Sequence, residues 1–382
     1  MTNSVDADVI VVGLGAMGSQ ALWQLARRGV GAIGIEQFTP GHDRGASHGE
    51  SRIIRTAYAE GTAYVPLVKR AWKLWQELEQ TSGRSLLDRT GGLMIGPADS
   101  SVIAGPLASA KAHDLKYDLL SADDLRRDFP QYLVTDDLRG FYEEEAGVLR
   151  PELAVTAAVD AAVASGAEVF DGTAVREIVP DPSRPRVVLD DHELTARHVV
   201  VAAGGWLRQL LPSTAGLITV ERRVMGWFRA QDPAAFAPAR FPVFVRCDSS
   251  GDHNCYGFPS TDGATVKVGL HTWPGIYEPT DPAAGHRPPD QQDAERFADA
   301  IRGTLLDVDP YPVRMTSCMY SLTPDHHFLL GPRRELPGLT LLGGFSGHGF
   351  KFATVIGEIA ADFACDGSTR LPVAQFDPHR FA

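Results

Sequence analysis

The sequence predicts an α/β plus α+β fold: a parallel-sheet dinucleotide-binding unit built from separated pieces of chain, with an antiparallel sheet inserted into it. Three observations predict it. Residues 8–36 read as an apolar strand, a GxGxxG turn, a helix and a second strand. Two further glycine-punctuated blocks lie far away, at 197–206 and 340–361. Between these blocks, residues 88–149 and 216–317 carry short alternating patterns such as ERRVMGWFRA and ATVKVGLHT, the signature of half-buried strands. The expected division is 1–87, 150–215 and 318–382 for the nucleotide-binding domain, and 88–149 and 216–317 for a substrate domain.

The first block, DVIVVGLGAMGSQALWQLARRGVGAIGIE, turns through Gly13, Gly15 and Gly18 into a helix. These glycines permit the tight turn, the approach of backbone to a pyrophosphate, and close packing of helix on strand. The helix start offers free N–H groups and a partial positive charge to the phosphates. Glu36 follows 21 residues after Gly15, where an acid can hydrogen-bond a ribose hydroxyl. The motif leaves NAD and FAD both open.

Further along, LAVTAAVDAAVASGAEV reads as an apolar helix ending at Gly166 and followed by a strand. RPRVVLDDHELTARHVVVAAGG reads as a short hairpin and a buried strand whose small terminal residues suit close passage over a bound cofactor. In LLGGFSGHGFKFATVIGEIAADFA, a loop with Gly343, Gly344, Gly347 and Gly349 opens an amphipathic helix, with His348 and Lys351 at its mouth.

The totals narrow the function. A chain of 382 residues suits two domains. A net charge of -12 argues against nucleic acid as a partner, because a phosphate backbone needs a basic face. No apolar run approaches the ~18 residues that span a bilayer. The opening MTNSVDADVIVVG lacks a signal-peptide pattern, so a cytoplasmic protein with reduced thiols is expected. Cys247, Cys255, Cys318 and Cys365 show no CxxC spacing, and no metal site is expected. Cys318, in TSCMYS, then reads as a core thiol or as a nucleophile.

Several long, irregular segments carry a resemblance: HGESRIIRTAYAEGTAYVPLVKRA (48–71), YGFPS (256–260), KVGLHT (267–272), SCMYSLTPDHHF (317–328) and GFSGHGFKFA (344–353). With the opening fingerprint, they resemble the monomeric sarcosine oxidase and N-methyl-L-tryptophan oxidase family of FAD-dependent amine oxidases, nearly end to end. GPADS (96–100) and GEIAADFA (357–364) look closer to the N-methyltryptophan branch. The resemblance implies a Rossmann-like FAD-binding domain of the D-amino-acid/glucose-reductase-type FAD superfamily. It also implies a monomer acting on a small N-methyl amino acid and dioxygen, with no nucleic-acid or membrane partner. The products would be the amino acid, formaldehyde and hydrogen peroxide. Oxidation of another secondary amino acid, such as a cyclic imino acid, is the alternative. An NAD-linked dehydrogenase and a flavin-binding protein without turnover are more distant ones. Because the amine reacts as its free base, activity is expected to rise with pH.

The resemblance also assigns residues. Cys318 would carry FAD through a thioether to the 8α-methyl carbon, a natural reaction of a thiolate with that electrophilic methyl. Arg55 would be a planar carboxylate clamp and Lys351 a point charge beside it, with His348 and Tyr256 in the same pocket. Lys267, which strand alternation puts on one face with Gly269 and His271, would sit near flavin N5 and favour the negative charge that develops on oxygen. Arg52, Tyr256, His271 and Tyr320 complete the catalytic set. The cofactor set is Gly13, Gly15, Met17, Gly18, Glu36, Ser47, His48, Arg52, Val175, Gly204, Trp206, Cys318, Phe345, Gly347, His348, Gly349 and Lys351. This chain has Ser47 before His48, where the family often pairs histidines. The segment 243–255 departs most, and its Arg246 bears on side-chain preference.

Overall fold

A computed structural model describes residues 5–285 and 287–381. The strand Ala7–Val12 lies at the centre of an eight-stranded sheet, flanked in parallel by Ala32–Ile35 and Glu193–Val201. Glu168–Phe170 extends the sheet beyond Ala32–Ile35, and Leu336–Gly343 runs parallel to Glu193–Val201. All six residues of the first strand are apolar or small except Asp8, and it is buried along nearly its whole length, as a strand covered on both faces must be. The predicted hairpin forms between Arg186–Val188 and Glu193–Val201. Helices Ala16–Ala26, Val65–Ser82, Pro151–Ala164 and Ala353–Asp366 pack together over the sheet. Their apolar residues, among them Trp23, Trp75, Val155 and Ile356, are essentially inaccessible.

The second sheet has nine strands, running Glu278–Pro279, Thr219–Arg229, Thr265–Thr272, Asn254–Phe258, Val243–Cys247, Gly92–Pro97, Leu138–Glu143 and Asp118–Leu120, with Arg314–Leu322 also paired to Thr219–Arg229. Its pairs are antiparallel except Val243–Cys247 with Gly92–Pro97, which is parallel. Arg314–Leu322 continues past residue 318 as one strand of this sheet, paired residue for residue from Thr219↔Leu322 to Trp227↔Arg314. A three-stranded sheet of Arg52–Arg55, Ala146–Leu149 and Leu87–Arg89 completes the strand pairing.

Register decides which side chains meet. Residues directly opposite each other in a ladder share a face, and alternate residues along a strand return to it. The pairs Phe258↔Lys267, Tyr256↔Gly269 and Met225↔Gly269 put Tyr256, Lys267 and His271 on one face of the second sheet. Arg223↔Cys318 and Glu221↔Tyr320 add Cys318 and Tyr320 to that same face. Five residues drawn from three separate segments of sequence thus converge through backbone pairing alone.

Candidate active site

A cavity of about 920 Å³ is lined by residues of both large sheets. One end is the turn after the first strand. Gly13 has φ +88, and a Cβ there would stand 2.7 Å from the carbonyl oxygen of Ala202. The turn therefore lies directly against the end of the neighbouring strand. Gly13→Ala should cost the protein its bound cofactor, read as loss of flavin absorbance in purified protein whose far-ultraviolet spectrum is unchanged. Ala16, in the first turn of the helix, donates its N–H to Ser47 Oγ at 3.0 Å, which ties residues 44–52 to the helix start. Glu36 is buried at the end of the second strand, accepting from Leu14 N at 2.8 Å and Phe38 N at 3.0 Å. This pins the carboxylate at the cavity edge.

Every candidate residue lines this cavity except Gly18, His48 and Lys267. Gly18 is packed inside the helix turn, where a Cβ would meet Gly13 O at 1.7 Å, and His48 is buried beside the loop. Val175, Gly204 and Trp206 stand at the glycine-turn end, and Phe345, Gly347 and Gly349 near the other. A Cβ on Gly347 would lie 2.3 Å from the Tyr320 ring, so that ring rests against bare backbone. Ser346 N donates to Ser321 O at 2.8 Å, fastening the C-terminal glycine loop to the strand that bears Cys318.

Cys318 is 3% exposed and borders the cavity. The four cysteines are all free. Arg52 Nη2 stands 3.9 Å from its sulfur while donating to Ala46 O at 2.6 Å, and Nη1 donates to Ser51 O at 2.8 Å. A fixed guanidinium is thus anchored by backbone carbonyls beside the thiol. Burial raises the phenols of Tyr256 and Tyr320 and holds the His271 imidazole down at about 4, so these three side chains are uncharged near pH 7.

Arg55 and Lys351 line the same cavity, with two partners that sequence reasoning missed. Arg55 is 7% exposed and forms an ion pair with Glu60 at 3.0 Å, its guanidinium lying 5.1 Å from the Tyr58 ring centre. Burial opposes ionisation of Glu60, yet Arg55, His348 and Lys351 bring its carboxyl down to about 2. A carboxylate of the protein therefore already occupies the Arg55 fork. Lys351 Nζ donates to His348 O at 2.8 Å and lies 3.4 Å from Tyr58 Oη. His348 Nε2 faces the His326 carbonyl at 3.1 Å and must donate to it, so Nδ1 accepts from Tyr58 Oη at 2.6 Å. Burial keeps that imidazole neutral, its pKa lowered to about 4. Tyr58 and Glu60 sit in a short loop without periodicity, so only their closeness to Arg55 in sequence hinted at a role.

Burial, and then the nearby Arg55, lower the Lys351 ammonium to about 7, against the opposing pull of Glu60. A depressed pKa means the charge is present below about 7 and lost above it. Binding of a simple carboxylate such as acetate in this pocket should therefore weaken by up to about tenfold per pH unit above that point. Titration calorimetry across pH 6–9 on the wild type and on Lys351→Met would read it; the variant should show a flatter profile.

Lys267 is 4% exposed and stands behind the cavity wall. Its three donors go to Gly49 O at 2.5 Å, Ser51 O at 2.9 Å and Ser51 Oγ at 3.0 Å, with the Phe258 and Trp227 rings 4.6 and 5.5 Å away. Burial, and next the charge of Arg52, hold its ammonium well below the usual lysine range. Arg246, in the divergent segment, donates to the carbonyls of Thr304 and Gly303 at 3.3 and 3.1 Å. It is not on the cavity wall, whereas its neighbour Val245 and Asn254 are.

Residues 8–363 match the FAD-dependent oxidoreductase family designated DAO. The chain belongs to that family. It is 39% identical to the monomeric sarcosine oxidase of Streptomyces avermitilis over 98% of each chain, and 33% identical to the N-methyl-L-tryptophan oxidase of Yersinia pestis over 99% of this chain and 100% of that one. Among solved structures, NikD, described as an unusual amino acid oxidase essential for nikkomycin biosynthesis, is similar with a TM-score of 0.85 and 28% identity, covering 97% of each chain. Membership resolves the choice left open by the glycine motif in favour of FAD. The residues present fit that group: a long cavity begins at a Cβ-free turn and a helix start and ends among aromatic and cationic side chains. Among the described residues no helix is long and apolar enough to cross a membrane.

Proposed function

We propose that this FAD-dependent oxidoreductase oxidises the C–N bond of a small N-methyl amino acid, with dioxygen as the final acceptor. In balanced form, R–NH–CH₃ + O₂ + H₂O gives R–NH₂, formaldehyde and hydrogen peroxide. The observation that carries this reading is the pair Arg55 and Lys351 at one end of a cavity whose other end is a dinucleotide turn. Buried Arg55 and Lys351, of which Arg55 is paired with Glu60, leave a net positive site beside neutral phenols and imidazoles, which suits a ligand that brings one carboxylate and an uncharged amine.

FAD, when bound, supplies the two-electron acceptor. Arg55 and Lys351 hold the carboxylate. Tyr256, His271 and Tyr320, all without charge near pH 7, favour the free-base amine over an ammonium ion. Cys318, with Arg52 fixed beside the sulfur, would hold FAD through a thioether to its 8α-methyl carbon, the two hydrogens and two electrons released passing to the flavin and from it to dioxygen. Lys267, held by Gly49 and Ser51, would place a positive charge behind the loop 49–52 and so favour negative charge developing on dioxygen there. The comparison with monomeric relatives supports a protein that works as a monomer.

The test is anaerobic mixing of the purified yellow protein with sarcosine, N-methyl-L-tryptophan or L-proline. Bleaching by an N-methyl amino acid, with peroxide and formaldehyde formed in equal amounts on admitting air, is the expected result. Bleaching by proline alone would move the substrate to the cyclic imino acids. No bleaching with any of the three would overturn the reading.

A further inference from the structure

Lys267 is a buried ammonium group with no carboxylate in direct contact among the described residues; its acceptors are two carbonyls and a hydroxyl of the turn 49–51. Such a charge is costly to bury unless something compensates it. The turn itself is unusual. Gly49 has φ +91 and the next residue, Glu50, has φ +70, a conformation that a residue with a side chain adopts only when its surroundings fix it.

Glu152 supplies that fixing. It lies in the first turn of the helix Pro151–Ala164, the end where the helix favours a carboxylate. Its Oε1 accepts from Gly49 N at 2.6 Å and from Glu50 N at 3.1 Å, and its Oε2 lies 3.2 Å from Glu50 N. The N–H of Glu50 and the C=O of Gly49 belong to one peptide group. That group therefore carries a carboxylate on its donor and the Lys267 ammonium on its acceptor, with its dipole aligned between them. The side chain of Glu50 braces the same turn from outside, pairing with Arg314 at 2.5 Å and accepting from Trp227 Nε1 at 3.0 Å.

We propose that Glu152 is a positioning residue for Lys267: acting through the peptide between Gly49 and Glu50, it serves as the counter-charge that keeps the ammonium protonated and its carbonyl cradle in place. The charged and titratable groups around Lys267 are Arg52 and Cys318 on the cavity side and Glu152 and Glu50 across the turn. Arg52 opposes the ammonium and the two carboxylates favour it. Removing the Glu152 charge shifts that balance downward.

The inference rests on the proposed function only for its kinetic consequence. Ionisation of Lys267 can be followed directly by NMR of holoenzyme labelled with carbon-13 at lysine Cε, the resonance being assigned by its loss in Lys267→Met. Glu152→Gln keeps an acceptor for the two N–H groups but not the charge, and should lower the midpoint of Lys267 by about one pH unit. Reoxidation of the photoreduced enzyme by dioxygen should then slow about tenfold above that midpoint and recover below it, while anaerobic reduction by sarcosine or another active substrate stays within about twofold. Glu152→Asp, which keeps the charge, should restore both. A Lys267 midpoint unchanged in Glu152→Gln would overturn the inference, as would equal slowing of reduction and reoxidation. Reoxidation at the wild-type rate in Lys267→Met would instead remove the oxygen role of Lys267, leaving the NMR midpoint to decide on Glu152.

Discussion

Cys318→Ala should turn an acid-precipitated protein from a yellow pellet into a white one under a yellow supernatant, while the native variant stays yellow. The sulfur borders the cavity with Arg52 Nη2 at 3.9 Å, and it packs with Met225 and Trp227. Alanine removes the one cysteine among the described residues that line the cavity but only a small volume, so the rest of the cavity wall should hold. The glycine turn, Ser47 and Glu36 lie far along the cavity and do not depend on the thiol, so cofactor binding should survive without the tether. Visible spectra of pellet and supernatant check this in one step. A supernatant that is yellow for the wild type as well would show that FAD is held without a covalent bond, and Cys318 would then be a core residue. A variant with no flavin at all, though folded, would mean that the thiol is needed for binding itself.

Arg55→Met should lower kcat/KM for an N-methyl amino acid by about 10²–10⁴-fold, the scale set by ~3–5 kcal/mol for leaving a buried charge without its partner. Two effects combine. The substrate carboxylate loses its planar fork, and Glu60 keeps a carboxylate in the pocket without its main counter-ion. Glu60, held at about 2 by Arg55 first among its cationic neighbours, should then take up a proton at a higher pH. For a secondary amine without a carboxylate the loss should be much smaller, because that substrate never used the fork and meets only the change at Glu60. Steady-state kinetics with both substrates, and thermal melts to establish folding, read the outcome. Equal losses on both substrates would show that Arg55 supports the pocket rather than the carboxylate.

The glycine turn, the helix after it and the acid at Glu36 were legible because each depends on neighbours in sequence. A GxGxxG turn, a period of 3.6 and an apolar strand need only some 30 residues to declare themselves. Alternation in TVKVGLHT likewise put Lys267 and His271 on one face. The partners of these residues were not legible. Nothing in AEGT marks Glu60 as the occupant of the Arg55 fork, and nothing near residue 152 points to a turn at 49. Arg246 could be read from sequence as a pocket residue, yet its guanidinium is spent on carbonyls at the end of the helix Gln291–Arg302. Side chains of a strand point to both faces, and only its neighbours decide which face borders the cavity.

The sequence by itself determined the dinucleotide turn, the alternating strands and, through irregular segments shared with a family, the candidates Cys318, Lys267, Arg55 and Lys351. Local conformational preference and short spacing carry that kind of information. Tertiary structure alone decided which charges meet: Glu60 on Arg55, Tyr58 between Lys351 and His348, and Glu152 facing Lys267 across one peptide. Electrostatic pairing depends on distance in space, and in this fold the two charges flanking that peptide come from residues 152 and 267, brought together by strand register and helix packing rather than by any pattern along the chain.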